Sequence, residues 1–527
     1  MRLFSSTSLA VLSPRPHLRL PLLFVAVGMF LLLLSTASST FADSATWKTN
    51  PGSGDWNTAS NWTPTTIPNG PSDTATFAFS NTTGVSVSGP NNTEIDGIVF
   101  NAGASAFTIT VSPLITLYFE GIGITNNSGI TQNFVTTVNG VHQGVINFLN
   151  SATAGSGTFF TNNGGTVSNN PGGIVEFDNT STAGNGTFIN NGAAVSGARG
   201  GATVFELGST AGNGTVINNG GTFSGAGGGE TAFDIGSTAG NATLIANGGL
   251  NGGAGGRIGF VSSRGGTARV EVFGNGNLDT SFHNLRPGGV TIGSIEGDGL
   301  VFLGSNNVSV GSNNASTKFS GVIQDGGFLG GVGGSLTKIG TGKLVLSHWN
   351  TYTGGTIIER GKLIVNNEGD SGTGSGPVQV ERGKLGGKGI IAGAVTVGTG
   401  NGDGAILAPS YVHGAGSPGA LTIQSPLTFN RDGIYEMQVN SGSGVADEVI
   451  ADGVTINSRA QFSFADIGSG ILTLGTVFMV INDIAATPIA GTFSNLPDGS
   501  IFTSNGNTYQ VSYEGGDGND LTLTVIP

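Results

Sequence analysis

Acidic side chains recur at one position of an internal repeat and are the first candidates for chemistry. Asp178, Glu206 and Asp234 each lie four residues before the threonine of a Thr-Ala-Gly motif. If the repeats stack, these carboxylates form an outward column with neighbours about 5 Å apart, and like charges at that spacing repel each other. We expect solvent and side-chain splay to relieve this repulsion, with a calcium ion on the column as the alternative.

A second acidic segment lies near the carboxyl end. Residues 515–520, Gly-Gly-Asp-Gly-Asn-Asp, fit the start of a calcium-binding nonapeptide, in which Asp517 and Asp520 would be ligands. The motif occurs once, and its eighth position is Thr522 rather than a large aliphatic residue. Calcium in such motifs is shared between neighbouring turns, so we favour a plain hairpin turn. We therefore predict no metal site and no cofactor, with calcium as the one alternative.

The sequence shows no constellation typical of catalysis. It has no cysteine, its five histidines lack metal-ligand spacing, and it contains no Gly-x-Ser-x-Gly nucleophile elbow. The charged neighbours Glu381 and Arg382, like Asp447 and Glu448, are adjacent in the chain and would point to opposite faces of a strand. We therefore expect no catalytic residues and no enzyme. The alternative is a β-helix polysaccharide-binding protein, lyase or glycosidase, a class of exported proteins whose enzymes need clustered carboxylates.

Glycine dominates the composition, with 95 of 527 residues, while only 10% of residues are charged. Glycine is unfavourable inside helices and helix-favouring residues are scarce, so a helical protein is excluded. Short runs that alternate Val, Ile, Thr and Phe with polar residues, separated by Gly and Asn, predict an all-β chain. The formal net charge of −13 argues against nucleic acid as a partner.

The strongest signal is an internal repeat with a period of about 28 residues. The motif Thr-Ala-Gly-x-Gly-Thr begins at Thr153 and returns, with small changes, at Thr182, Thr210 and Thr238. A unit of this length is too short to bury a core of its own, but it can form one coil of a solenoid. Two further columns, one of Phe and one of Asn followed by Gly, share the period: Phe148, Phe177, Phe205 and Phe233, and Asn163, Asn191, Asn219 and Asn247.

These columns predict an all-β fold, a right-handed parallel β-helix (β-solenoid) with capping regions at both ends. Alternation along the strand places Phe205 inside and Glu206 outside, so the Phe column should stack from coil to coil. The Asn-Gly corners suit a positive φ, and their amides could bond along the axis as a ladder. A β-propeller is the rival architecture, but its blades usually need about 40 residues or more.

The amino-terminal segment has the pattern of a secretory signal. Arg2, Arg15 and Arg19 precede an apolar run at 20–34, and small residues up to Ala42 suit signal peptidase. We expect cleavage near Ala42 and a secreted or cell-surface protein, with an uncleaved anchor as the alternative. No later run is apolar enough to span a membrane as a helix, so we expect no membrane span in the mature chain.

Residues 334–363 follow a dense series of short motifs: Gly-x-Leu-x-Lys-x-Gly, Leu-x-Leu-Ser, Asn-x-Tyr-x-Gly-Gly-Thr and Gly-x-Leu. This series closely resembles the autotransporter-associated β-strand repeat, and blocks 47–77 and 513–521 look like the opening and end of secreted proteins that carry it. The resemblance implies a bacterial exported passenger domain, although no membrane-barrel pattern follows, so we expect release or attachment by another device. The matching positions are Leu336, Lys338, Gly340, Leu344, Leu346, Asn350, Tyr352, Gly354, Gly355 and Thr356.

We interpret the mature chain as a monomeric, non-enzymatic surface or extracellular protein of structural or adhesin-like type. Its expected partners are extracellular polysaccharide or cell-surface components. Trp47, Trp56 and Trp62 could stack on sugars, but we favour their role as anchors of a capping core. The predicted segments are a signal peptide (1–42), an N-terminal cap with the first coils (43–140), the 28-residue repeats (141–290), the autotransporter-type repeats (291–430) and the C-terminal coils with a cap (431–527).

Overall fold

The chain winds into a parallel β-solenoid of about 15 turns, which confirms the predicted fold class. The computed structural model describes residues 43–283, 289–402, 404–410 and 418–527. The predicted signal peptide, residues 1–42, lies outside the described residues. Each repeat forms one coil because its strands pair in parallel with the same strands of the next coil, so that Phe177 lies beside Phe148 and Phe205.

Sheet A forms one side of the coils from the N-terminal cap to the middle of the chain. Its 13 strands pair in parallel, apart from one antiparallel pair at its start. Most of these strands are short because Gly and Asn break the chain on both sides. In sheet order they are Trp62–Thr63, Ala45–Trp47, Gly70–Phe77, Thr93–Phe100, Thr116–Asn126, Val145–Phe148, Ile174–Phe177, Ala202–Phe205, Glu230–Phe233, Arg257–Phe260, Asn277–Asp279, Leu300–Phe302 and Val322–Gln324.

Sheet B forms a second side and extends through most of the coils. Its strands are parallel, except that the short strand Val445–Ala446 pairs antiparallel with its neighbour. The parallel strands are Gly84–Val87, Thr108–Val111, Gln132–Thr136, Ser156–Asn162, Asn185–Asn190, Thr215–Asn218, Thr243–Ala246, Arg269–Val272, Ser294–Gly297, Thr317–Phe319, Lys343–Leu346, Lys362–Val365, Lys384–Gly387, Ala405–Ala408, Gly433–Asn440 and Gln461–Asp466.

Two further sheets complete the later coils. Sheet C has eight parallel strands: Val290–Ile292, Asn307–Val310, Ser335–Lys338, Thr356–Ile358, Val378–Val380, Val395–Val397, Leu427–Phe429 and Val454–Ile456. Sheet D has seven strands: Ile390–Ile391, Ala420–Ile423, Glu448–Ala451, Val477–Asp483, Asp520–Ile526, Asn507–Gly515 and Ile501–Ser504. The remaining described elements are the hairpin of Val138–Asn139 with His142–Gln143 and the 3-10 helix Ala59–Asn61.

Phenylalanine rings form a continuous stack inside the repeats, as predicted. Neighbouring rings of the column have centroids 4.7–4.9 Å apart and lie within 9° of parallel. All four rings are fully buried, so each ring covers the apolar edge of the coil beneath it. The members of this column are Phe148, Phe177, Phe205 and Phe233.

One left-handed corner of each repeat lies at the Thr-Ala-Gly motif. Gly184 has a φ of 60°, and a Cβ there would lie 2.7 Å from the Gly155 carbonyl oxygen in the coil below. Neither Asn191 nor Gly192 has a positive φ, so the prediction of left-handed Asn-Gly corners is wrong. Glycine is needed at that corner for close packing instead, because a Cβ on Gly192 would lie 2.2 Å from the Gly220 carbonyl oxygen.

Asparagine side chains link successive coils in ladders. The predicted corner ladder is present, since Asn219 Nδ2 donates to Asn191 Oδ1 over 3.2 Å and Asn247 Nδ2 donates to Asn219 Oδ1 over 3.0 Å. A second ladder, which the sequence analysis missed, lies one residue earlier in each coil and faces the core. Its amides are fully buried and joined by Nδ2 to Oδ1 bonds of 2.8 Å: Asn162, Asn190 and Asn218.

A tryptophan cluster closes the amino-terminal end of the solenoid. Trp47, Trp56 and Trp62 are at most 1% exposed. The ring of Trp62 lies 4.9 Å from that of Trp47 and 4.8 Å from that of Trp56, in edge-to-face contact. The indole nitrogen of Trp56 donates to the Pro68 carbonyl oxygen. Because the rings are buried, they anchor a cap, as favoured above, and cannot stack on sugars.

Antiparallel strands close the carboxyl-terminal end. Parallel pairing continues to Val477–Asp483, after which Asp520–Ile526, Asn507–Gly515 and Ile501–Ser504 follow in antiparallel order. These antiparallel strands cover the edge of Val477–Asp483 that would otherwise be open. Within the described ranges, no helix is long and apolar enough to cross a membrane.

Candidate functional site

The predicted acidic column lies on the outside of the coils next to the Phe stack. Backbone amides of Asp178, Glu206 and Asp234 each bond the carbonyl of the Phe in the coil below, so the three residues occupy equivalent positions. Asn147 Nδ2 donates to Asp178 Oδ2 over 3.1 Å. Burial and the nearby Glu230 carboxylate raise the pKa of Asp234. No three acidic or histidine side chains converge as metal ligands within the described residues. Calcium on the column stays the alternative to the predicted absence of a metal site.

The second acidic segment closes an antiparallel hairpin. Gly515 pairs with Asp520 at the end of the two strands. Asp520 is 3% exposed, and its Oδ1 accepts the backbone N–H of Asp483 over 2.8 Å. Burial raises the pKa of Asp520. Asp517 lies in the turn between the two strands, and the geometry therefore gives Asp520 a structural role within the cap.

The repeat-motif segment builds two successive coils. Ser335–Lys338 and Thr356–Ile358 are neighbours in sheet C, and Lys343–Leu346 and Lys362–Val365 are neighbours in sheet B. The leucines of the motif point inward and form the core at this level. These side chains are at most 1% exposed: Leu336, Leu344 and Leu346.

Asn350 and Tyr352 hold the turn between the two coils. Asn350 Oδ1 accepts the Ile323 N–H over 2.7 Å, and its Nδ2 donates to the Gly372 carbonyl over 2.6 Å. The side chain thus bridges the coils above and below. The Tyr352 hydroxyl lies 2.6 Å from Thr356 Oγ1, and both groups are buried. The hydrogen bonds of this turn therefore account for the presence of these polar residues in the motif.

The glycines of the motif are required where backbones meet. Gly355 has a φ of 93°, and a Cβ there would lie 2.5 Å from the Pro377 carbonyl oxygen. A Cβ on Gly340, which has a φ of 67°, would lie 2.0 Å from the Gly311 carbonyl oxygen. A Cβ on Gly354 would also lie too close to a backbone carbonyl oxygen, although the φ of Gly354 is not positive. Any side chain at these positions would push neighbouring coils apart.

A groove lies on the outer face of sheet B near the motif. The opening lies over the strands Ser294–Gly297 and Thr317–Phe319, which share the single register pair of Gly297 with Phe319. The opening has a volume of about 630 Å³. Its lining combines charged, hydroxyl and apolar side chains, including Arg269, Glu271, Phe273, Glu296, Thr317, Lys318 and Lys343.

An arginine joins two carboxylates at one wall of this groove. Glu271 and Glu296 are register partners on neighbouring strands. Arg269 Nε lies 3.0 Å from an oxygen of each carboxylate, and Arg269 Nη2 donates to the second oxygen of Glu296. The guanidinium thereby neutralises part of the paired negative charge and holds both side chains in place.

Lysines continue from the groove across the next coils of sheet B. Lys343, Lys362 and Lys384 are register partners on three consecutive strands, and Lys318 lies on the strand before them. Lys384 Nζ lies 2.6 Å from Glu436 Oε2, which neutralises that end of the series. We call these four residues the lysine strip.

Comparison with family models identifies the motif segment. Residues 336–365 match the model described as passenger-associated-transport-repeat. We refer to this matched segment, residues 336–365, as the passenger-associated-transport repeat. Together with the parallel solenoid, it fits an autotransporter passenger-type repeat protein, as the sequence resemblance implies. A comparison with curated proteins gave no match to the chain.

Lys338 of the passenger-associated-transport repeat is a buried amine that lies among carbonyl oxygens. It is 1% exposed, and its Nζ donates to the carbonyls of Ile339, Gly340 and Arg360. Burial lowers the pKa of Lys338 to about 8. The unfolded chain therefore binds more protons than the folded chain between about pH 8 and the ordinary lysine pKa near 10.4.

We expect the stability of the wild type, relative to Lys338→Met, to rise with pH across that window. The relative gain should be on the order of 1–3 kcal/mol, since one pKa unit corresponds to about 1.4 kcal/mol. Guanidinium unfolding of both proteins at pH 7.5 and pH 10 measures it. The exposed Lys343→Met variant is the control and should follow the wild type at both pH values. A relative stability that falls with pH would contradict this account of Lys338.

The groove and the lysine strip are the features that sequence reasoning missed. Glu271 and Glu296 are far apart in the chain, and only the register of sheet B pairs them. A signal for the strip was present, because Gly-Lys-Leu occurs three times, around Lys343, Lys362 and Lys384. The first two copies lie within the passenger-associated-transport repeat, and the third lies beyond it.

Proposed function

We propose that the chain is an exported, non-enzymatic β-solenoid that acts as a structural or adhesin-like element at the cell surface. The observation that carries this proposal is the passenger-associated-transport repeat at 336–365, built without interruption into a parallel solenoid. Solenoids of stacked coils offer extended surfaces for binding, and each coil is held only by its neighbours.

The outer face of the repeats suits contact with hydroxyl-rich partners. Asn213 Nδ2 donates to Asn185 Oδ1, and Asn241 Nδ2 donates to Asn213 Oδ1, so exposed amides follow one another along the axis. Amide and hydroxyl groups on a flat face exchange hydrogen bonds with sugars readily. We propose extracellular polysaccharide or cell-surface components as partners of a monomeric chain that needs no cofactor.

Export can be tested in cells that express the full chain. We expect removal of residues 1–42, an amino terminus at Asp43, and digestion of the protein by a protease added to intact cells. A chain without residues 1–42 should stay inside and resist the protease. The variant Ala42→Arg should keep its signal because a large charged residue blocks cleavage. An intact amino terminus in the wild type, with no protease access, would contradict the proposal.

A polysaccharide-degrading activity is the alternative, and one observation favours it. Glu271 and Glu296 are paired in an open groove, and two carboxylates in a cleft are the minimum for a glycosidase. Both carboxylates contact Arg269, which occupies them with an ion pair instead of leaving one as a proton donor. We therefore propose binding without cleavage. New reducing or unsaturated ends released from plant or bacterial polysaccharides, and lost in Glu296→Gln, would establish the alternative.

A further inference from the structure

The lysine strip concentrates positive charge on an otherwise acidic protein. The formal net charge is −13, and between residues 43 and 256 the sequence has only Lys48 and Arg199 as basic residues. In sheet B, by contrast, Lys343, Lys362 and Lys384 stand in register on consecutive strands. The lysine strip is therefore a positively charged line, one side chain wide, on a protein whose net charge is negative.

Stacking like charges on neighbouring strands is unfavourable, so the strip needs a counter-charge. Burial, together with the positive charges of Lys384 and Lys343, lowers the pKa of Lys362. Glu436 supplies a partner for Lys384, and its negative charge also partly offsets the positive charge of Lys362 and its neighbours. Toward the groove, Lys318 and Lys343 are exposed. A bound anion at that end would relieve the repulsion among the lysines.

The groove next to the exposed lysines offers contacts that a simple anion does not need. The Phe273 side chain is 38% exposed and can pack against the apolar face of a sugar ring. Ser316 and Thr317 also line the opening. Arg269, held by Glu271 and Glu296, fixes the wall of the groove.

We propose that the groove and the lysine strip bind a linear anionic polysaccharide that runs across the coils, with successive acidic groups on Lys318, Lys343 and Lys362. The proposal rests on the surface function proposed above and names the partner's chemistry. Lys343 and Lys362 stand in register on strands about 4.8 Å apart, whereas Lys318, on the strand before, is the register partner of Val345 and lies two residues along from Lys343. The three lysines therefore follow an oblique line across the coils, which a linear polymer with repeated charges can follow. The narrow strip, bordered by Glu271, Glu296 and Glu436, is unsuited to a nucleic-acid duplex, which needs a broad basic face.

The test uses polygalacturonate and its methyl ester, which share one backbone and differ in carboxylate charge. Isothermal titration of the mature chain should detect binding to polygalacturonate, weaker binding as sodium chloride increases, and no binding to the methyl ester. The triple variant Lys318→Gln, Lys343→Gln and Lys362→Gln should bind at least about tenfold more weakly, since each exposed ion pair contributes a few-fold.

The matched control removes the same charge elsewhere. The variant Lys48→Gln, Arg199→Gln and Arg431→Gln has the same net charge as the strip variant, and its positions lie outside the groove. It should bind polygalacturonate like the wild type. Circular dichroism and melting verify that both variants fold, and Lys318→Arg, Lys343→Arg and Lys362→Arg should retain most binding because the charges remain.

Several results would overturn the proposal. These are no binding to polygalacturonate, equal binding to the methyl ester, an equal loss in the control variant, or tighter binding to single-stranded oligothymidine than to polygalacturonate. The surface function is judged separately by protease access on intact cells. A chain that is exposed on cells but fails the titration would disprove the polysaccharide site alone, whereas a chain retained inside cells would disprove the surface function.

Discussion

Phe205→Ala should destabilise the solenoid by about 3–5 kcal/mol, the usual cost of removing a fully buried aromatic side chain. The Phe205 ring lies 4.8 Å from that of Phe177 and 4.9 Å from that of Phe233, so its removal opens a cavity between two coils. Because coils contact only their neighbours, the loss should be local. Hydrogen exchange should accelerate in Ile174–Phe177 and Glu230–Phe233 before more distant strands, and the guanidinium midpoint should fall.

Phe223→Ala is the matched control for this prediction. Phe223 lies in the same coil region but is 61% exposed, so its truncation should change stability by less than about 0.5 kcal/mol. Equal effects of the two substitutions would mean that the ring stack does not hold the coils together. A uniform increase in exchange along all the described strands would instead mean that the solenoid unfolds as one cooperative unit.

The sequence predicted the fold well where the repeat is exact. The Phe positions recur with strand alternation, so their burial and stacking follow from periodicity alone. The corner conformation did not follow, because Asn-Gly is compatible with both a left-handed turn and a tight approach of two backbones. The φ angles of Asn191 and Gly192, together with the short distance between Gly192 and Gly220, distinguish these cases. Local propensity could not supply this distance, since it depends on the neighbouring coil.

The candidate site was less predictable than the fold. Outside the regular repeats, sequence reasoning compared charged residues that are close in the chain, such as Asp447 and Glu448, whereas a solenoid brings together residues one coil apart. Glu271 meets Glu296, and Lys343 meets Lys362, because sheet B pairs them in register. The coil lengths vary outside the regular repeats, so this register cannot be counted from the sequence. The buried ladder was missed because buried asparagine is uncommon and its partners lie in other coils.

Asn190→Asp should test that buried ladder with the smallest possible change in shape. Asn190 Nδ2 donates to Asn218 Oδ1 and to the Glu230 carbonyl, both over 2.8 Å. A carboxylate at this position cannot donate, so it would place a buried negative charge against two oxygen atoms. We expect a loss of about 3–5 kcal/mol at pH 7, the range for an uncompensated buried charge.

The pH dependence of this variant distinguishes lost donation from lost packing. Burial raises the pKa of the introduced carboxyl above its unfolded value near 3.9. The protonated form, which can donate one hydrogen bond, then prevails in the folded chain at low pH. Stability relative to the wild type should therefore recover as the pH falls from 7 toward 4.5 and be lost again as it rises. Guanidinium unfolding at these two values measures the recovery.

Asn213→Asp supplies the comparison, because Asn213 donates to Asn185 in the exposed ladder and makes the same type of bond in contact with solvent. Water can solvate the carboxylate there, so the loss should be below about 1 kcal/mol and nearly independent of pH. If both variants lose stability equally, the buried ladder contributes no more than a surface hydrogen bond. If only Asn190→Asp is destabilised and recovers in acid, the coils are held together by amide donation inside the core as well as by the stacked rings.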